Sequence, residues 1–127
     1  MAHAPWELVH KALQEGSALL QGISIRQSSL TPTTAAMGLG YLAEKGQVQS
    51  GGLERVWSLG SGDHPRFDRI ESRIIEAITR QGMLTFRQLI AVVNIEERIV
   101  AYCLGMLEAR GTIAFTNAIS KWRLVST

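Results

Sequence analysis

Apolar residues along this chain recur mostly at helical spacing, with two short stretches where the period changes to two. The clearest stripe is Ile70, Ile74, Ala77 and Ile78, which stand at i, i+4, i+7 and i+8 and therefore share one face of a helix. Asp68 with Glu71 three residues later has the capping-box pattern, and that helix is expected to run through Gly82. Thr85 has the chemistry of an N-cap for a short helix over Phe86 to Val93. Asn94 then reads as a turn and Ile95 to Arg110 as a third helix. Gly111 suits the left-handed position that ends a helix. From Ile113 a strand is expected, then a turn near Thr116-Asn117, then a returning strand carrying Trp122 to Leu124.

The same order is written once before. Residues 39–59, LGYLAEKGQVQSGGLERVWSL, fall without a gap on residues 104–124, LGMLEARGTIAFTNAISKWRL. Leu39, Gly40, Leu42, Gly46, Trp57 and Leu59 meet Leu104, Gly105, Leu107, Gly111, Trp122 and Leu124, while Lys45 meets Arg110 and Val48 meets Ile113. Identity falls where packing or backbone shape requires it, as expected of an internal repeat. In the first copy, Pro5 to Gly16 is expected as the first helix and the region of Ala18 to Gln27 as the second. Thr31-Pro32 supplies the N-cap and first residue of the third. A hairpin turn is expected at Gly51-Gly52, and in each copy one indole is expected to pin the hairpin to the helices.

Between the copies lies Gly60-Ser61-Gly62-Asp63-His64-Pro65, a linker of helix-breaking residues too short to let the copies move independently. In the order of elements and in the Leu-Gly-x-Leu…Gly…Trp-x-Leu pattern, the chain resembles the winged helix-turn-helix superfamily, twice over. The resemblance implies an α+β, mainly helical fold of two tandem winged-helix modules, each three helices plus a β-hairpin wing. The modules would span residues 1–60 and 67–127, with the linker over 61–66. The resemblance further implies a binding role, usually toward duplex DNA and sometimes toward proteins, and it carries no catalytic motif.

Composition narrows the choice. The 127 residues are 46% hydrophobic and 19% charged, the balance of a folded chain. No apolar stretch approaches the ~18 residues of a membrane span, and Met1 to Trp6 lacks the pattern of a secretory signal; a cytoplasmic protein with no membrane partner is expected. Cys103 is the single cysteine and reads as a small packing residue. His3, His10 and His64 stand far apart and offer no metal-ligand spacing. Gly51-Gly52 and Gly60-Ser61-Gly62 lack the strand-to-helix context and the Lys-Ser/Thr pair of a phosphate loop. Glu96 and Glu97 would point about 100° apart on a helix and suit its first turn. No metal, cofactor, small-molecule substrate or enzymatic activity is therefore expected.

The charge is uneven. The formal net charge is +2. Residues 1–63 carry Lys11, Arg26, Lys45 and Arg55 against five acids, whereas nine basic and six acidic side chains fall in residues 64–127. In a helix-turn-helix the third helix turns its outer face to the major groove. That face is expected to hold Thr33, Ala36, Met37 and Gly40 in the first copy and Arg98, Ala101, Tyr102 and Gly105 in the second. Thr33, Thr34 and Met37, preceded by Arg26, Gln27, Ser28 and Ser29, are candidate DNA contacts; the same Ser and Thr residues also serve as caps and turns. Arg55, Arg69, Arg73, Arg87, Arg98, Lys121 and Arg123 are candidates for phosphate contact, although Glu76 is placed to pair with Arg73 and Arg80. The leading expectation is a small DNA-binding regulator of transcription or replication. The alternative is a protein-interaction adaptor or homodimer whose small apolar helix faces pack on a partner. Gly38, Gly40 and Gly105 cost a helix about 1 kcal/mol each, which points to close approach by another helix.

Overall fold

The computed structural model describes residues 3–125. Its helices are α1 (Pro5–Gln14), α2 (Leu20–Arg26), α3 (Pro32–Glu44), α4 (Asp68–Gln81), α5 (Phe86–Val93) and α6 (Glu97–Arg110). Its strands are β1 (Val48–Gln49), β2 (Ser58–Leu59), β3 (Ile113–Thr116) and β4 (Lys121–Leu124), paired β1 with β2 and β3 with β4, both antiparallel. The fold is mixed α+β and mainly helical, and the order of three helices and a hairpin runs twice. No helix among the described residues is long and apolar enough to cross a membrane.

Local chemistry sets several of the helix starts. Thr31 accepts a hydrogen bond from the Thr34 amide at 3.1 Å, and Pro32 opens α3 with a φ already suited to a helix. Thr85 and Gln88 form a full capping box at α5. The box expected at Asp68 and Glu71 is absent: α4 follows Phe67 without a side-chain cap. Glu71 is instead buried at 4% exposure, and its carboxylate accepts from the Arg110 guanidinium at 2.8 Å. A buried carboxylate gains more from a guanidinium than from one backbone amide. At the other end of a helix, α1 stops at Gln14, short of the expected Gly16.

Corresponding groups in the two copies make corresponding hydrogen bonds. Trp57 exchanges two backbone bonds with Ala18, at 3.0 and 2.8 Å, and Trp122 exchanges two with Leu84, at 3.0 and 2.7 Å. Both indole residues are buried, at 0% and 2% exposure, so each hairpin is fastened to the segment between its copy's first two helices. The Gln47 amide donates to the Leu42 carbonyl at 2.9 Å and the Thr112 amide to the Leu107 carbonyl at 3.0 Å. Gly46 and Gly111 follow α3 and α6 at φ of +73° and +83°, a region that costs other L-residues about 1–2 kcal/mol.

The hairpin turns differ from the sequence expectation. Gly51 and Gly52 lie in a longer excursion, held where the Ser50 hydroxyl donates to the Gly52 carbonyl at 2.7 Å. In the second hairpin the left-handed residue is Ser120 (φ +51°), not Asn117. There β3 and β4 pair through Thr116 and Lys121, so the turn closes one residue before Lys121.

The most extensive packing between elements is α3 against α6. A Cβ at Gly40 would overlap the Tyr102 carbonyl oxygen and lie 3.2 Å from the Met106 nitrogen. A Cβ at Gly105 would overlap the Met37 carbonyl oxygen and lie 2.8 Å from the Tyr41 nitrogen. Positions 37, 40 and 41 correspond to 102, 105 and 106 in the repeat, so the contact is reciprocal about a pseudo-twofold axis. The helix faces expected to point outward are thus turned toward each other: Ala36, Ala101 and Tyr102 are fully buried, and Gly40 and Gly105 are buried as well. Two faces made of small and apolar side chains lose less surface to water by covering one another than by standing free. As a result the first core cluster takes in Ala101, Tyr102 and Met106 from the second copy.

Residues 61–66 are packed as well. The Ser50 amide donates to the Asp63 carbonyl at 2.8 Å and the Gly62 amide to Gln49 Oε1 at 3.0 Å. The Tyr102 hydroxyl donates to the Pro65 carbonyl at 2.8 Å, and Phe67 meets the Tyr102 ring edge-on at 5.8 Å.

Candidate functional site

Several cations expected at a DNA surface are held by the fold itself. The Arg26 guanidinium donates to the carbonyls of Ala12, Gly16 and Ser17, at 3.0, 2.6 and 3.4 Å, closing the C-terminal end of α1. Arg73 donates to the Val93 carbonyl at the end of α5. Arg80, not Arg73, takes the Glu76 carboxylate, at 2.9 Å, and Arg98 pairs with Glu54 at 3.2 Å. Helix C-termini carry a partial negative charge, which favours a guanidinium beside the ends of α1 and α5.

The polar candidates divide the same way. Thr34 bonds Thr31, and the Thr33 hydroxyl donates to the Glu97 carboxylate at 3.0 Å, tying α3 to α6. Gln27, Ser28 and Ser29 form the turn between α2 and α3, closed where the Leu30 amide donates to the Gln27 carbonyl at 2.9 Å. Met37 is half-buried and packs against both core clusters. Arg55, Arg69, Arg87 and Arg123 are exposed, Lys121 is half-buried, and none of the five makes an ion pair among the described residues.

A different feature occupies the junction of the copies. A cleft of about 660 Å³ opens between the start of α1, α3 and the second hairpin, with Trp6, Met37, Phe86, Phe115, Trp122 and Glu108 in its lining. Its walls are firm. Trp6 stacks on Tyr41 with centroids 3.9 Å apart and planes within 10°, and Phe115 leans on Trp122 at 5.0 Å. Glu108 is half-buried there, and burial alone raises its carboxyl above the ordinary glutamate value. Its carboxylate has no hydrogen-bond or ion-pair partner among the described residues.

Trp6, Phe115 and Glu108 were not among the sequence-derived candidates. The repeat did carry a signal for two of them, in the positions where the copies disagree: Phe115 falls on Ser50 and Glu108 on Ala43. A large apolar or ionisable group replacing a small residue at an equivalent position marks a surface the two copies do not share. Among the described residues, no group of three or more His, Cys, Asp or Glu side chains could hold a metal ion. Comparison of the chain with protein-family models, with curated proteins and with solved structures finds no match.

Proposed function

We propose that the chain is a tandem winged-helix protein, with modules at residues 1–60 and 67–127, that works by holding other proteins rather than by reading duplex DNA through its third helices. One observation carries this: α3 and α6 bury their outer faces in each other at Gly40 and Gly105. A groove reader needs several third-helix side chains free to reach base edges. Here Ala36, Ala101 and Tyr102 have no exposed surface. Glu96 and Glu97 are exposed at the start of α6, where they oppose phosphate. An open, largely apolar cleft with aromatic walls suits protein contact.

Exposed Arg69, Arg87 and Arg123 favour a second reading, in which the second copy touches the phosphate backbone without reading bases. Titration with random duplex DNA at about 50 and 200 mM salt separates the two. The protein-binding reading expects a Kd weaker than ~1 µM at the higher salt, unchanged by Arg98→Glu. A Kd tighter than ~0.1 µM there, lost on Arg98→Glu or Thr33→Glu, would overturn it in favour of a DNA reader.

A further inference from the structure

The pseudo-twofold axis relates two grooves, and this chain shows how one of them is filled. On one side Tyr102 lies 5.8 Å from Trp57, and the Pro65-Arg66-Phe67 segment packs on Tyr102: Phe67 sits edge-on to its ring, and the Pro65 carbonyl takes its hydroxyl. On the other side the corresponding residues are Met37 and Trp122, and both line the open cleft. Leu20 on the covered side is 1% exposed. Its counterpart Phe86, two residues after Leu84 as Leu20 is after Ala18, lines the cleft and is only partly buried. Phe115 leans on Trp122 at 5.0 Å, while Met37 and Phe86 keep partly exposed surface toward the cleft.

We infer that this cleft is a docking site for an extended peptide segment of a partner protein carrying an aromatic residue next to a basic one. The aromatic ring would lie against Met37, Phe86 and Phe115, whose surfaces are still partly exposed in the cleft. The base would meet Glu108. Charge complementarity selects the base: Glu108 faces the cleft half-buried without a cation, while Glu7 at the rim is already paired with His3 at 3.2 Å. A carboxylate partly withdrawn from water and left without a partner gains from an incoming guanidinium or ammonium group. The filled groove has Ala43 at the Glu108 position, and Arg66 beside Phe67 there turns to Asp68 at 3.9 Å.

This inference rests on the protein-binding reading, but its test fails separately from the DNA titration. The probe is the capped pentapeptide Gly-Pro-Arg-Phe-Gly, titrated into the full chain while the indole signals of Trp6, Trp57 and Trp122 are followed by NMR. Saturable binding with a Kd between about 10 µM and 1 mM is expected, with shifts at Trp6 and Trp122 and none at Trp57. Replacing the peptide Phe by Ala should abolish binding. Replacing its Arg by Glu should weaken binding by about three- to tenfold, the scale of a partly exposed ion pair, and Glu108→Gln should remove that difference. Phe115→Ser, which installs the residue found at position 50, should weaken binding while leaving the thermal midpoint within a few degrees of wild type. No saturable shift up to about 5 mM overturns the inference, as does equal binding of the Ala peptide. Concentration-dependent self-association lost in Phe115→Ser overturns it too, by making a second copy the occupant.

Discussion

Gly40 and Gly105 hold the same place in the two copies, and each leaves room for the backbone of the other's helix: Tyr102 against Gly40, Met37 against Gly105. Such helices approach more closely than side chains normally allow. The relationship also explains why two glycines persist in the middle of helices, where each costs about 1 kcal/mol relative to alanine.

The two effects of Gly40→Ala therefore have opposite signs. The helix gains about 1 kcal/mol of propensity, but the added methyl meets backbone atoms, which cannot turn aside as a side-chain tip can. Overpacking of this kind costs about 1–3 kcal/mol, and more where the backbone must move. A net loss of about 1–2 kcal/mol is expected for Gly40→Ala and for Gly105→Ala in urea denaturation. The pair should be less than additive, because once the helices have separated for one methyl the second meets less resistance. Either variant proving more stable than wild type would show that the helices are not in the contact described.

Arg26 offers a case in which a residue that looked like a DNA contact has a structural task. Its guanidinium reaches the Ala12 carbonyl in the last turn of α1 and the Gly16 and Ser17 carbonyls just after it. Hydrogen bonds from a charged donor contribute about 1.5–3 kcal/mol when well buried, and this side chain is exposed. Arg26→Ala should lower stability by about 1–2 kcal/mol, measured by denaturant midpoint, and leave any affinity for duplex DNA unchanged. A variant that is fully stable but binds DNA more weakly would reverse the assignment.

How much of this was legible beforehand follows from where each signal lives. The Thr31 and Thr85 caps, the Gly46 and Gly111 turns and the buried Trp57 and Trp122 are local or repeated features, and each came directly from residue type and spacing. The Asp68–Glu71 capping box had the right spacing but lost to a partner 39 residues away, Arg110, which no local pattern reveals. The outer faces of α3 and α6 were misplaced for a related reason. Helical periodicity finds the face packed within one copy, and a second apolar face of small residues looks the same whether it meets solvent, DNA or the other copy. The glycine positions were the available hint that another helix lay there. The cleft arises only once the pseudo-twofold contact is formed, so no single segment announces it.

Cys103 makes the core of the second copy accessible to measurement. Its side chain is fully buried, and burial pushes the thiol up to about 12 from an ordinary value near 9. The folded chain thus holds this proton more tightly than the unfolded chain. The resulting stability is fully present below pH ~9 and is lost progressively as pH rises toward 12. Tyr102 shifts in the same direction, again chiefly through burial. Alkaline titration followed by circular dichroism should accordingly show cooperative unfolding beginning above pH ~9. Cys103→Ala should move that onset upward. At pH 8 a thiol reagent should label Cys103 only as fast as the chain opens, with the rate rising in Gly105→Ala; labelling at the rate of a free thiol would contradict its burial.

Glu108 reverses the usual carboxylate pattern. Burial holds its folded value above the ordinary 4.5, so its protonated form fits the folded chain better than its ionised form. That contribution to stability is complete below the unfolded value and is lost as pH rises through the folded one; at pH 7 the ionised group is a liability. Glu108→Gln keeps the shape and removes the charge. It should raise the denaturation midpoint at pH 7 only modestly, because half of the group still faces water. The gain over wild type should shrink as pH falls and Glu108 takes up its proton. A carboxylate that weakens the free protein yet lines an open cleft belongs with groups kept for binding rather than for folding. If Glu108→Gln is no more stable at pH 7 than wild type, the carboxylate is already satisfied by the folded chain and the case for a cationic ligand at the cleft falls with it.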